Sequence, residues 1–133
     1  MPGSGAGTLP HVLQHAVAAT VAPQGMTIAT NTGNLPLVYA NEAFLRMTGY
    51  PPNEILGRNC RFLQGDDTDP AQLAAIKQAL TAGESVTVLL RNHRRDGTGF
   101  WNQVSISPVR DPDSGEITHF IGTQTDAAEP AGA

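Results

Sequence analysis

The chain lacks the features that mark several large classes of protein. Its 133 residues include a single cysteine, so an internal disulfide is excluded and nothing indicates an oxidising compartment. No apolar run approaches the length that spans a membrane. Lysine and arginine number 8 against 12 acidic residues, a net charge of -4, which argues against a surface for nucleic acid or anionic membrane. We therefore expect a soluble cytoplasmic protein with one hydrophobic core.

Signatures of common catalytic and metal sites are also missing from the sequence. The glycine-rich run at residues 3–7 follows no strand, so it does not match a phosphate-binding loop. His11 and His15 have the helical spacing of two metal ligands, but no third ligand is evident, and a solvated helix face explains them more simply. No family signature of a cysteine protease surrounds the single cysteine. We therefore expect no metal site and no enzyme that turns over a substrate.

Turn-forming residues divide the chain into short apolar segments, and their order predicts an α+β domain. Residues 1–7 are expected to be a disordered leader, 8–25 an N-terminal helix and connector, 26–126 the core domain, and 127–133 a flexible tail. The core would form an antiparallel sheet with helices on one face. Its predicted elements are two strands (26–30 and 35–40), a helix (41–48), a turn of helix from Pro51, a longer helix from Asp69 to Gly83, and three strands (85–93, 99–109 and 116–125).

Each of the three long strands carries one side-chain amide on the face that the helices would cover. Alternation along the strands places Asn92, Asn102 and Gln124 there. A buried amide without partners costs roughly 1–3 kcal/mol, so the three amides need a common explanation. They could bond one another, or they could line a site for a planar ligand that carries both carbonyl and N–H groups. The pattern alone leaves both possibilities open.

The opposite face of the sheet is apolar, and we expect the N-terminal helix or a second copy of the domain to cover it. Its exposed-face residues are Leu89, Trp101, Val109, Ile117 and Ile121.

The single cysteine lies within Gly57-Arg58-Asn59-Cys60-Arg61-Phe62-Leu63-Gln64-Gly65. A free cysteine is usually a small buried apolar side chain. The two flanking arginines could lower the pKa of this thiol if they lie close to it.

This segment resembles the flavin-binding motif of light-oxygen-voltage (LOV) domains, the blue-light-sensing branch of the PAS superfamily. The resemblance covers about residues 26–126, and it implies a PAS fold with a five-stranded antiparallel sheet, helices packed on one face around a flavin, and an additional N-terminal helix. Further matching segments occur in the family's order and spacing: Asn41-Glu42-Ala43-Phe44, Thr48-Gly49-Tyr50, Asp67-Thr68-Asp69, Arg95-Asp96-Gly97, Phe100-Trp101-Asn102 and Phe120-Ile121-Gly122-Thr123-Gln124.

The resemblance also implies a role for individual residues. The cofactor would be FMN, and Cys60 would bond the 4a carbon of its ring after blue-light excitation. Gln124 would lie beside the ring nitrogen that gains a proton, and would relay the signal to the sheet. The other implied contacts are Asn59 and Gln64 to the ribityl chain and ring, Arg61 and Lys77 to the phosphate, Asn92 and Asn102 to the pyrimidine edge, and Leu63, Ile76, Leu90, Phe120 and Ile28 in the apolar pocket.

The resemblance predicts a photoreceptor domain whose output passes through a surface. We expect a homodimer through the N-terminal helix and the outer sheet face, or an effector domain or partner protein. The chain would be either a short photoreceptor or the sensor fragment of a kinase or regulator. Two other functions stay open: a flavin-binding redox sensor in which Cys60 forms no bond to the ring, and a PAS interaction module without photochemistry.

Overall fold

The computed structural model describes residues 24–127 together with Pro10 and Leu13. The predicted leader, most of the predicted N-terminal helix at 8–25, and the predicted tail except Ala127 lie outside the described residues. None of the helices among the described residues is long and apolar enough to cross a membrane.

Five antiparallel strands form one sheet, which confirms the predicted α+β class. The strands are β1 (Gly25–Thr30), β2 (Leu37–Ala40), β3 (Val86–His93), β4 (Gly99–Arg110) and β5 (Ile117–Ala127). Their order across the sheet is β2-β1-β5-β4-β3, so the last strand of the chain pairs with the first at the centre. A tight turn at Asp96-Gly97 joins β3 to β4, where Gly97 has a φ of 90° that suits glycine.

Three α-helices and one short 3-10 helix cross between β2 and β3. They are α1 (Glu42–Thr48), α2 (Pro52–Ile55), the 3-10 helix (Cys60–Leu63) and α3 (Pro70–Ala82). Local capping fixes where they begin: the Asn41 side chain accepts from the backbone N–H of Phe44 at 2.9 Å, and Asp69 accepts from that of Ala71 at 2.9 Å. Gly49 and Gly83 end α1 and α3 in the left-handed conformation.

Apolar side chains pack on both faces of the sheet. On the inner face, Phe44, Ile55 and Leu63 form one buried cluster beneath the short helices, and Val88, Leu90 and Val104 form another beneath α3. On the outer face, Leu13 is fully buried against Met26 and Ile28, with Val109 and Ile121 packed beside them. Leu13 therefore covers part of the apolar outer face, as expected for the segment that the sequence assigned to this surface.

Candidate functional site

A cleft lies between the inner face of the sheet and the helices. The empty space among its lining residues amounts to about 810 Å³, a figure that includes space open to solvent. All five strands contribute to its wall, together with α3 and the segment around the 3-10 helix. The site is therefore built from residues far apart in sequence that the sheet order brings together.

The cleft contains most of the site residues that the sequence predicted. The predicted residues that line it are Asn59, Cys60, Arg61, Leu63, Gln64, Ile76, Leu90, Asn92, Asn102, Phe120 and Gln124. Their placement around one cleft is a fact of the structure, whereas their roles stay predictions.

The prediction that Ile28 belongs to this pocket is wrong. Ile28 pairs with Ile121 across β1 and β5, and directly paired residues share a face of the sheet. Both pack on the outer face with Leu13. Strand alternation instead directs the neighbouring Thr27 and Ala29 into the cleft, where both contribute to the lining.

Lys77 is exposed on α3 and does not contribute to the cleft lining, although the preceding residue, Ile76, does. Its predicted contact with a phosphate therefore stays a prediction. His11 and His15 lie outside the described residues.

The three inward amides are almost fully buried and only partly bonded. Asn102 Nδ2 donates to Asn92 Oδ1 at 2.9 Å, and Gln124 Nε2 donates to Thr27 Oγ1 at 2.9 Å. Asn102 Oδ1 and Gln124 Oε1 are buried and have no hydrogen-bond partner among the described residues. Asn92 and Asn102 thus bond each other, as one of the two open explanations required, but Gln124 bonds Thr27 instead and two acceptors remain. Those acceptors call for a ligand that offers N–H donors on this wall.

Cys60 begins the 3-10 helix and packs beside the cluster of Phe44, Ile55 and Leu63. The residue is half-buried, and burial of its thiol raises the pKa of Cys60 to about 12. The flanking arginines, which could lower this pKa only from close by, do not do so. The Arg58 guanidinium lies 5.0 Å from the centre of the Phe62 ring, and the Arg61 side chain bonds the side chain of Asn34. Cys60 is therefore a protonated thiol at neutral pH.

The chain after the cysteine is tied to the sheet beside the amides. Gln64 forms an isolated antiparallel bridge with Asn92, which joins the cysteine segment to β3. The next residue must be small, because a Cβ at Gly65 would lie 2.7 Å from the ring of His93. His93 Nε2 in turn contacts Asp67 Oδ1 at 2.7 Å, and this pair lowers the pKa of the Asp67 carboxyl. These contacts hold the chain that follows Cys60 beside β3, the strand that carries Asn92.

Several lining residues were not predicted. Alternation with Asn102 already places Val104 and Ile106 on the covered face, and Leu80 follows Ile76 at helical spacing, whereas no sequence signal distinguished the inward face of β1. The lining residues outside the predicted set are Thr27, Ala29, Leu35, Leu37, Leu80, Val104, Ile106 and Gly122.

Comparison with known proteins relates this chain to one domain family and to several of its members. The PAS domain family matches residues 23–129. The chain is 49% identical over 94 residues to phototropin-2 of Oryza sativa subsp. japonica, an overlap that covers 71% of this chain and 10% of the rice protein. It is 47% identical over 91 residues to a blue-light-activated histidine kinase of Brucella ovis, covering 68% of this chain and 18% of the kinase.

A solved structure extends the relationship to almost the whole fold. The light-state structure of the LOV domain of the blue-light photoreceptor Aureochrome1 superposes with a TM-score of 0.78 at 41% identity, covering 92% of this chain and 91% of that one. By contrast, the chain spans less than a fifth of the two curated relatives. These matches show that the chain belongs to the light-oxygen-voltage branch of the PAS domain family.

Proposed function

We propose that the chain is a blue-light-sensing domain that binds FMN and forms a reversible covalent bond between Cys60 and the flavin ring. The observation that carries this proposal is a buried thiol in the same cleft as three buried amides, two of which have unpartnered oxygen atoms. The names of the relatives support it, since phototropin-2, the Brucella kinase and Aureochrome1 were matched over this same region.

The amide wall fits the pyrimidine edge of a flavin. That edge alternates carbonyl oxygens with an N–H group, and an amide can pair with either kind of atom. Asn92 and Asn102 would bind it, and an N–H donor would satisfy the buried Asn102 Oδ1. Gly122 lines the cleft between Phe120 and Gln124 and allows a flat ring to approach β5 closely.

The polar residues of the cysteine segment would hold the rest of the cofactor. Asn59 and Gln64 line the cleft where the ribityl chain would run, and Arg61 would bind the phosphate. Lys77 would add a second positive charge from α3, though without the planar fork of an arginine. The apolar lining residues Leu63, Ile76, Leu90 and Phe120 would pack against the ring.

Cys60 would act as a protonated thiol. A bound flavin supplies blue-light absorption and a ring carbon that accepts sulfur in its excited state. Because the pKa of Cys60 is raised to about 12, the thiol carries both the sulfur and the proton that the addition requires. It is therefore unreactive as a thiolate in the dark, and no separate general acid is needed beside it.

Gln124 would report the change to the sheet. Its amide lies in β5, which is bonded to β1 on one side and β4 on the other. The ring nitrogen beside Gln124 would become a hydrogen-bond donor on gaining a proton, and Gln124 would then have to offer an acceptor. Its Oε1, which has no partner among the described residues, is such an acceptor. Reorientation of this side chain would alter its bond to Thr27 and thereby the pairing of the two central strands.

The output would pass through the outer face of the sheet. Trp101, Val109 and Ile121 remain half-buried on this face, and Val109 and Ile121 pack against the cluster that contains the fully buried Leu13. We infer that this face and the N-terminal helix form a homodimer interface or contact an effector. The solution mass of the protein in darkness and under blue light tests this inference, and a strict monomer in both conditions would contradict it.

An absorbance measurement tests the photochemistry. Purified protein should show a flavin band in the blue that bleaches after a light pulse and recovers in darkness. Cys60→Ala should retain the band and never bleach, and Cys60→Ser is a size-matched control with the same expectation. A band that does not bleach in the wild type would favour the flavin-binding redox sensor. Protein that takes up no flavin would favour a PAS interaction module.

A further inference from the structure

The loop between β1 and β2, residues 31–36, contributes Leu35 to the cleft lining and is held at both ends. At one end, the Asn31 backbone N–H and side-chain amide donate to the carbonyl oxygens of Thr118 and Ile117, each at 2.9 Å. At the other end, Leu37 N–H donates to Arg58 at 2.9 Å, and Gly57 N–H donates to Leu37 at 2.8 Å. The loop is thereby fixed to β5 and to the cysteine segment.

Asn34, near the tip of this loop, contacts two predicted cofactor-binding residues at once. Asn59 Nδ2 donates to the backbone oxygen of Asn34 at 2.8 Å, and Arg61 Nη2 donates to Asn34 Oδ1. The Arg61 backbone N–H also donates to Asn59 Oδ1 at 2.9 Å. Asn34, Asn59 and Arg61 therefore form a closed set of hydrogen bonds at the cleft mouth.

The residue after Asn34 adopts an unusual backbone conformation. Leu35 has a φ of 52°, and within the part of the chain that the structure describes it is the only residue other than glycine with a positive φ. Leucine rarely occupies this region, and such strain is typically kept where function requires it. This conformation places Leu35 in the cleft lining next to the position where Asn34 contacts Arg61.

Most of the Arg61 guanidinium is still available for a ligand. A guanidinium offers five N–H donors in a planar fork. Among residues 24–127, the Arg61 side chain bonds only Asn34, through one nitrogen. Asn34 therefore restricts the orientation of an otherwise exposed side chain without occupying the donors that would grip an oxyanion in a bidentate manner. An arginine ordered before binding loses less conformational entropy when the ligand arrives.

We propose that Asn34 is a positioning residue that aims Arg61 at the phosphate of the flavin and so favours phosphorylated over unphosphorylated flavin. This inference rests on the proposed binding of FMN. Asn34 touches the phosphate only through Arg61, so its loss should weaken FMN binding and leave riboflavin binding unchanged.

Titration of flavin-free protein with FMN and with riboflavin, followed by quenching of flavin fluorescence, tests the proposal. Asn34→Ala removes Oδ1 but keeps the backbone oxygen that accepts from Asn59. We expect it to raise the Kd for FMN about three- to tenfold, the range for ordering one long side chain during binding. The Kd for riboflavin should not change. In an Arg61→Ala background the same substitution should have no effect on either ligand, and Thr32→Ala in the same loop is a matched control without effect.

Other results would overturn the proposal. Equal losses for FMN and riboflavin would mean that Asn34 only maintains the loop. Tighter FMN binding in Asn34→Ala would mean that Asn34 competes with the phosphate for Arg61, and unchanged FMN binding would mean that it does neither. Wild-type protein that binds neither flavin would overturn the proposed function itself. In another outcome, the wild type binds both flavins and Arg61→Ala leaves the ratio of the two Kd values unchanged. That result would overturn only the phosphate contact and the role of Asn34.

Discussion

Replacing Thr27 by valine should destabilise the flavin-free protein, even though the two side chains have nearly the same shape. Thr27 Oγ1 accepts from Gln124 Nε2 at 2.9 Å, and the residues are 4% and 3% exposed. Without the hydroxyl, Nε2 is buried with no acceptor, which costs about 1–3 kcal/mol. The added methyl group of valine recovers roughly 0.8 kcal/mol. We therefore expect the free energy of unfolding to fall by about 0.2–2 kcal/mol.

The partner substitution should behave differently. Gln124→Leu removes the Nε2 donor and also the buried Oε1 that has no partner among the described residues. Removal of that oxygen recovers about 1–3 kcal/mol, but the buried Thr27 hydroxyl then loses its partner at a cost of about 1–3 kcal/mol, so this variant should be about as stable as the wild type. In the double variant Thr27→Val/Gln124→Leu both polar partners are gone. The double-mutant cycle should therefore give a coupling of about 1–2 kcal/mol.

Urea unfolding of flavin-free protein measures these differences, with equal m-values as the condition for comparison. Thr87→Val is a matched control, because its hydroxyl also forms a hydrogen bond, to Ser105 at 2.9 Å, but is exposed on β3. It should change stability by less than about 0.5 kcal/mol. If Thr27→Val were as mild as Thr87→Val, or if Gln124→Leu were the more damaging substitution, the reasoning from buried unpaired groups would be refuted.

Three further predictions concern other parts of the site. The folded Cys60 thiol has a pKa of about 12, whereas an unfolded cysteine ionises near pH 8.5. The free energy of unfolding of the wild type should therefore fall by up to about 1.4 kcal/mol per pH unit above about pH 9, a loss that Cys60→Ala should not show. Urea midpoints at about pH 7 and about pH 10 measure the difference. Gly122→Ala would bring a methyl group to 2.8 Å from Thr27 Oγ1, so thermal unfolding should show a loss of about 1–3 kcal/mol. Asp67, whose pKa is lowered by His93, stabilises the fold above the ordinary aspartate pKa; the advantage of the wild type over Asp67→Asn in urea unfolding should shrink as the pH falls from about 5 to about 3.

The fold was largely predictable because local signals marked most element ends. Asp69-Pro70 begins α3, Gly83 ends it, and Asp96-Gly97 joins β3 to β4, as their turn and capping preferences require. The second predicted strand was too long at its start. It was expected from residue 35, but β2 begins at Leu37, because Leu35 turns into the left-handed region and belongs to the loop at the cleft mouth. That conformation depends on tertiary contacts that the sequence does not display.

The site was predictable where one face of a strand is polar and the other is not. On β4 and β5 a single amide among apolar residues identified the inward face, and Asn102 and Gln124 do line the cleft. On β1 this signal is absent, because the strand is buried on both faces from Gly25 to Ile28. Ile28 was predicted to line the apolar pocket. Alternation along β1 instead directs Thr27 into the cleft and packs Ile28 against Leu13.

The charge state of the cysteine could not be predicted from its neighbours in sequence. An arginine lowers the pKa of a thiol only if its guanidinium lies close, and both flanking guanidiniums bind elsewhere. Desolvation then acts alone and raises the pKa of Cys60. The same enclosure leaves Asn102 Oδ1 and Gln124 Oε1 without donors among the described residues, and buried acceptors without donors lower the stability of a fold. A ligand that donates to these atoms restores that stability on binding, and therefore couples cofactor loading to folding.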